Sequence, residues 1–422
     1  MVLNLINNVS QTPKLSIVNY QLIMKRIVLL AILALATLSS SAHAPKSDFP
    51  IDATKATLIS DPNNQMTHYT STHITDKGEI WIAYFRDLKN NIEDPKELTI
   101  EMVMSRFDIK KWRSPKIKHS SLLTVGGNIG SYNQGNSAPY DPILFDAGDK
   151  VICIYQAYEN EGNIYIAFTI DPETGTPVGE VERCTLTYTH NGEKVTVPLS
   201  KSGNREYYEK ALGVTNFKGF AKPVLNKKYT KHGEWYYTAL ANWCCQGSIP
   251  VVVRTKDGIH YEEVFRCPEF QFGASEIEIA IHNERLYLIA RTARPEKKLR
   301  AGTFLGVYSL TGECLRKPYQ IGDVESRPEM IVFKDKVYAL YNVKPNTINY
   351  ETGKGVNRSR VRLSELDDHG SVVRAWEYAS PYSMQYYTLD EYKGKLYLSF
   401  IEDRFGRVKA RKGNLSFVEI NL

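Results

Sequence analysis

Tyr386–Glu402 reads YYTLDEYKGKLYLSFIE: an apolar-alternating run, a tight turn with Gly, then an aromatic-rich run. Two adjacent strands of a hairpin read this way. The chain spells the pattern five more times: THITDKGEIWIAYF (72–85), PILFDAGDKVICIY (142–155), PVLNKKYTKHGEWYYTAL (223–240), IEIAIHNERLYLIA (277–290) and EMIVFKDKVYALYN (329–342). A four-stranded unit repeated at intervals of roughly 50 to 85 residues predicts an all-β fold, a six-bladed β-propeller.

The register of the copies is the functional clue. Ten residues before the first apolar residue after each turn stand Tyr386, Arg327, Glu276, Asp141 and Thr70, and the longer third turn puts its counterpart near Lys222. With the innermost strand first, this position opens onto the central mouth. A core would want apolar residues there; a binding site wants Tyr, Arg, Glu and Asp.

Tyr386 with Glu402 around a turn resembles the tyrosine-nucleophile segment of the sialidases (neuraminidases). Ser275-Glu276 through LYLIAR, ending at Arg291, resembles their glutamate segment, and Ser326-Arg327-Pro328 the strand start of another substrate arginine. The resemblance spans about 270–405 and extends weakly from about 65. It implies an exo-glycosidase that hydrolyses a terminal acidic sugar, with Tyr386 as nucleophile, Glu276 as its base and Arg291 and Arg327 on the substrate carboxylate. A neutral tyrosine suits a sugar that bears its own carboxylate on the anomeric carbon, and needs a neighbouring base because a free phenol has a pKa near 10. Arg suits the carboxylate through two-pronged pairing. The implied general acid is an Asp: Asp141 by register, with Asp87 a rival. Tyr140 is a candidate substrate contact and Glu402 a support for an arginine. Sialidases open their first blade with an arginine; here the segment is His68-Tyr69-Thr70-Ser71, so the first arginine of the triad is missing.

Two other classes remain open. β-Elimination on a uronate polysaccharide would use a cation for the carboxylate and His68, His73, Tyr69 or Tyr140 for protons. A non-catalytic glycan-binding propeller would use the aromatic mouth alone. The nine His form no HExxH or comparable cluster, so no metal site is expected, nor any cofactor. The net charge of +6 is mild and no nucleic-acid motif accompanies it.

Met24-Lys25-Arg26, the apolar run IVLLAILALATL (27–38) and Ala42-His43-Ala44 form a secretory signal pattern, too short to span a bilayer as a mature helix. Translation is expected to start at Met24, with residues 1–44 an extension and signal peptide and 45–422 a single propeller domain. The product is expected to be secreted or periplasmic, monomeric, and without a membrane span. Export permits disulfides. Cys153 reads as a buried free thiol, while Cys244 or Cys245 is a partner candidate for Cys267.

Along the chain, 45–66 reads as an irregular lead-in and 98–108 as an outer strand. Residues 124–141 read as a long loop, 185–199 as a hairpin turning at Asn191-Gly192, and 204–213 as a short helix. RTKDGIHY (254–261) reads as a shortened Asp-box, with Asp257 stabilising the turn.

Overall fold

The computed structural model describes residues 50–422 except 53–54, 61–66, 88–99, 125–127, 130–131, 134–139, 160–161, 214–221, 244–248, 271–273, 293–300, 346, 349–354, 357, 381 and 403–412. It is an all-β propeller. Among the described residues, six sheets of four or more strands follow one another. The first comprises Thr67–Ile74, Glu79–Asp87, Ile100–Asp108 and Lys118–Thr124; the second Tyr140–Asp146, Val151–Glu159, Gly162–Ile170 and Pro177–Arg183. The third runs Lys222–Leu225, Trp235–Trp243, Val251–Thr255, His260–Arg266. The fourth runs Ala274–His282, Arg285–Thr292, Gly302–Ser309, Cys314–Gly322. The fifth is Glu329–Phe333, Lys336–Asn342, Arg360–Leu366, Val372–Ala379, and the sixth Met384–Tyr392, Lys395–Glu402 and Asn414–Ile420. Each of the six sequence hairpins supplies the first strands of one sheet. The first strand of the first sheet packs against those of the second and sixth, which closes the ring.

The lead-in is not wholly irregular. Thr57–Leu58 pairs antiparallel with Phe417 and Ser416 and completes the sixth sheet. A two-residue strand carries no readable alternation; it forms because Asn414–Ile420 offers an open edge. The hairpin Thr185–His190/Glu193–Pro198 turns at Asn191 and Gly192, both with positive φ. It joins the outer edge of the third sheet through parallel pairing with His260–Arg266. The helix starts slightly before its expected position, at Lys201, because Ser200 caps it by accepting from the Gly203 amide, and it ends at Leu212 before the left-handed Gly213.

The core lies between sheets rather than at the centre, in clusters shared by neighbours. Leu144 and Tyr155 of the second sheet pack with Trp81 and Met102 of the first, and Ala280 and Tyr287 of the fourth pack with Met330 and Tyr341 of the fifth. Turns between the two outer strands brace the preceding sheet. Asp257 accepts from the Ile259 and His260 amides at 2.8 Å each, and Asp171 and Asp367 hold equivalent turns. Arg106 of the first sheet, almost fully buried, donates to the carbonyls of Pro172, Glu173 and Thr174 in the next. Arg316 likewise donates to His369 O and Ser371 Oγ.

Cys153, Cys184 and Cys267 are buried free thiols. This confirms the reading of Cys153 and removes Cys267 as a disulfide partner; Cys244 and Cys245 lie outside the described residues. No helix among the described residues is long and apolar enough to cross a membrane.

Gly370 has φ +73°, and an added Cβ would sit 2.6 Å from Val307 Cγ2 of the neighbouring sheet. Gly370→Ala is therefore expected to cost about 2 kcal/mol or more through backbone strain and overpacking, read as a lower urea midpoint at unchanged slope.

Candidate active site

Side chains two apart on a strand share a face, so the inner strands stack functional groups in layers along the axis. The lower layers form a buried charge network. Lys227 and Lys228, between Lys222–Leu225 and Thr230–His232 of the third sheet, cross to the fifth and sixth. Both meet Glu329, with Lys227 Nζ at 3.1 Å and Lys228 Nζ at 3.2 Å. Lys227 also donates to Tyr387 O and Lys228 to Leu389 O. Asn226 Nδ2 holds Glu278 at 2.7 Å, and Thr72 Oγ1 donates to Asp390 at 2.5 Å. Thus the third copy sends Lys227 and Lys228 inward, while the side chain of Lys222 lies outside the described residues.

Two lysines here face three carboxyls. Burial, with Glu329 adding to it, pushes the Glu278 carboxyl up to about 8 against the pull of Lys227 and Arg327. Burial also raises Asp390. A neutral Glu278 brings the network into charge balance.

Above this floor lies the layer marked by the sequence register. Glu276 is buried, and its Oε2 accepts from Arg291 Nη1 at 2.5 Å; Arg291 Nη2 reaches Glu325 at 2.8 Å. Burial alone would raise the Glu276 carboxyl, but Arg291, Arg327 and Arg358 together outweigh it and hold it below the usual carboxylate range. Arg327 is buried just before Glu329–Phe333. Arg358, from the connection between the second and third strands of the fifth sheet, donates to Gln385 Oε1 at 2.6 Å, next to Tyr386. Tyr386 has φ 54°, left-handed for an aromatic residue. It sits in a pairing irregularity between Gln385 and Thr388. The inner strands of the first, second and fourth sheets break register near the same level, at His68/Thr70, Tyr140/Ile143 and Ala274/Glu276. Bulges of this kind re-aim side chains.

The structure therefore brings Glu276, Arg291 and Arg327 together and sets Tyr386 beside them through Gln385. Glu402 lies close by, accepting from Ser380 Oγ at 2.9 Å. Tyr140 and Asp141 begin the inner strand of the second sheet, but their side chains, like those of Asp87, His68 and Tyr69, lie outside the described residues. His73 is turned away from the mouth: it packs edge-on to Trp81 and stands 3.8 Å from Asp146 of the second sheet. Thr70, within the segment His68–Ser71 where the resemblance leads one to expect an arginine, is buried and ties the ring together. Its Oγ1 donates to Tyr386 O at 2.8 Å and lies 3.1 Å from Thr388 Oγ1.

Sequence reasoning missed Arg358, Glu325 and Gln385, and the role of Lys227 and Lys228. The Lys-Lys pair stood out within its hairpin, but nothing local named its partners. Arg358 had no signal, because it enters from a connection outside the hairpin register. Among the described residues, no group of three or more His, Cys, Asp or Glu could hold a metal ion.

No family model matches this sequence, and no curated protein sequence does. Solved structures do match in fold. A Dyadobacter fermentans protein of unknown function aligns over 89% of this chain and 99% of its own, with TM-score 0.54 and 13% identity. An α-L-arabinofuranosidase from Fusarium graminearum aligns over 87% of this chain and 98% of its own (TM-score 0.52, 9% identity). The Hadza microbial sialidase Hz136 aligns over 87% and 68% (TM-score 0.52, 10% identity). At such identities the likeness is one of fold.

The axial network yields a pH test. Unfolded Glu278 titrates near the ordinary value of about 4.3 and folded Glu278 at about 8, so the folded chain holds the proton more tightly. Its stabilising contribution is complete below the unfolded pKa and is lost as pH rises through the folded one, so stability should decline from about pH 5 to 8. Glu278→Gln should flatten that slope in urea titrations. Glu329→Ala, which leaves buried Lys227 without its carboxylate, should cost about 3–5 kcal/mol at neutral pH.

Proposed function

We propose that this chain is an exported glycan-active hydrolase, a sialidase-like exo-glycosidase that releases a terminal acidic sugar from the mouth of a six-bladed propeller, each of the six sheets counting as one blade. The observation that carries the reading is the meeting of Glu276, Arg291, Arg327 and Arg358 beside Tyr386. Three guanidinium groups gather there around the buried Glu276 carboxylate, and guanidinium forks suit the carboxylate of an anionic sugar. In this reading the Tyr386 hydroxyl attacks the anomeric carbon while ionised Glu276 takes its proton. Asp141 protonates the leaving oxygen, and water then releases the sugar from Tyr386. Arg291 and Arg327 hold the sugar carboxylate, Tyr140 contacts the ring, and Glu402 supports the wall. No cofactor takes part. The signal segment up to about Ala44 directs the chain out of the cytoplasm, and the mature chain, 45–422, acts as a single-domain monomer.

The test is a substrate panel for the purified protein: an aryl sialoside, an aryl glucuronide, an aryl α-L-arabinofuranoside and uronate polysaccharides. Release of aglycone from an acidic glycoside supports the proposal. An unsaturated uronate product would identify a lyase, and turnover of the arabinofuranoside alone a neutral-sugar hydrolase; either outcome overturns it, as does binding without turnover. Tyr386→Phe removes only the hydroxyl and should lower kcat by about three orders of magnitude or more while acidic-sugar binding persists. Full activity of that variant would remove the nucleophile assignment.

A further inference from the structure

The strand Met384–Tyr392 carries a bulge near its start. Gln385 pairs with Ile401 and Thr388 with Ser399, so Tyr386 and Tyr387 stand together opposite Phe400. One bulge type puts a glycine in the left-handed region at its first residue. Tyr386 takes that place here, with φ 54°. Asn191, Asn283, Glu284, Lys334, Asp335 and Lys393 also have positive φ, but in tight hairpin turns, where it is the ordinary solution. An aromatic residue stays left-handed within a strand only when its surroundings over-determine it, and such strain collects at functional sites.

Those surroundings come from three other sheets. Thr70 Oγ1 of the first sheet donates to Tyr386 O at 2.8 Å, and both residues are buried. Lys227 of the third sheet donates to Tyr387 O. Asn342 Nδ2 of the fifth reaches Met384 O at 3.2 Å, and Tyr387 Oη donates to the same carbonyl at 2.6 Å. The carbonyls of Met384, Tyr386 and Tyr387 are thus each gripped from a different sheet. Because the peptide is planar, a donor that fixes a carbonyl fixes the whole peptide plane and with it the backbone of the residue that bears it. Of the three grips, Thr70 acts on the carbonyl of Tyr386 itself. Thr70 follows a register break of its own, between His68 and Thr70, so two irregular strand heads meet through one hydrogen bond. A valine would fill the same volume and leave that carbonyl without this donor.

We propose that Thr70 is a positioning residue for the reaction: its hydroxyl holds the left-handed peptide at Tyr386 and so aims the phenol oxygen at the anomeric carbon. The inference rests on the reading of Tyr386 as nucleophile and deepens it. Thr70 touches neither the sugar nor the reacting atoms and acts through the Tyr386 backbone alone. Without its hydroxyl the bulge relaxes, the ring swings and the attack distance lengthens. A misplacement of about 1 Å at a reacting atom costs about 100-fold in rate, whereas a sugar held by the arginines binds as before.

The experiment is steady-state kinetics on the acidic aryl glycoside that the wild type turns over, run well below the melting temperature of each variant. Thr70→Val keeps the shape and removes the hydroxyl; kcat should fall about 10- to 100-fold with KM within about twofold of the wild type. Thr70→Ser keeps the donor and should restore most of the rate. Thr70→Cys, a weaker donor, should fall between and carries the test if Thr70→Val does not fold. Adding Thr70→Val to Tyr386→Phe should slow it no further, because no phenol oxygen is left to aim. A hydroxyl that serves the fold alone would lower the melting temperature of Thr70→Val and leave the kcat of the folded protein unchanged. That outcome overturns the assignment and leaves the nucleophile reading standing. So does a fall in Thr70→Ser as deep as in Thr70→Val, a rise in KM that accounts for the whole loss, or a full further loss in the double variant. A fully active Tyr386→Phe, or a wild type that turns over no acidic glycoside, overturns both.

Discussion

Glu329 is the residue on which the ring turns. It is fully buried, pairs with Lys227 at 3.1 Å and accepts from Lys228 at 3.2 Å, two lysines that the third sheet projects across the axis, while the Leu389 amide of the sixth sheet approaches the same carboxylate at 3.3 Å. A propeller whose apolar cores lie between sheets has an axis lined by the polar edges of its inner strands, and buried backbone carbonyls there need donors. Lys227 and Lys228 meet that need at Tyr387 and Leu389. Ammonium groups so placed require a carboxylate. The third sheet is thus tied by charge across the axis to the fifth and sixth, which also share an apolar cluster, and desolvation makes the network intolerant of losing one member.

That network is also the floor of the mouth. Alternation along Ala274–His282 puts Glu278 into the floor and Glu276 into the layer above, with the two carboxyls in opposite states. Glu278 lies beside Glu329 and is driven toward its neutral form; Glu276 lies among arginines and is driven toward the carboxylate. The same residue type, two positions apart, acquires different chemistry from its neighbours alone.

Positive charge is unevenly placed around the mouth. Thr70 is committed to a cross-ring hydrogen bond with Tyr386 O, and a long cationic side chain there would have to displace the closure between the first and sixth sheets. Positive charge gathers instead on the fourth and fifth sheets, at Arg291, Arg327 and Arg358. The register breaks at the head of four inner strands, and the left-handed backbone at Tyr386, mark this end of the axis as the one where regular pairing gives way to positioned side chains.

The sequence by itself determined the hairpins and the residue types at their heads. Strand alternation and turn chemistry are local, and Tyr386, Arg327, Glu276 and Thr70 could be counted from the turns because each stands ten residues before the first apolar residue after its turn. Lys227 and Lys228 were visible but not interpretable, since their partners lie on strands roughly a hundred or more residues away, a pairing no local pattern encodes. The strand Thr57–Leu58 was too short to show alternation and exists only because the sixth sheet offers an edge. Only the tertiary structure decided which glutamate carries charge, that Cys267 stands as a free thiol, and that Arg358 arrives at the mouth from a connection. Burial, field and meeting distance are properties of the closed ring, and a pKa or an unmet donor exists only once the ring has closed.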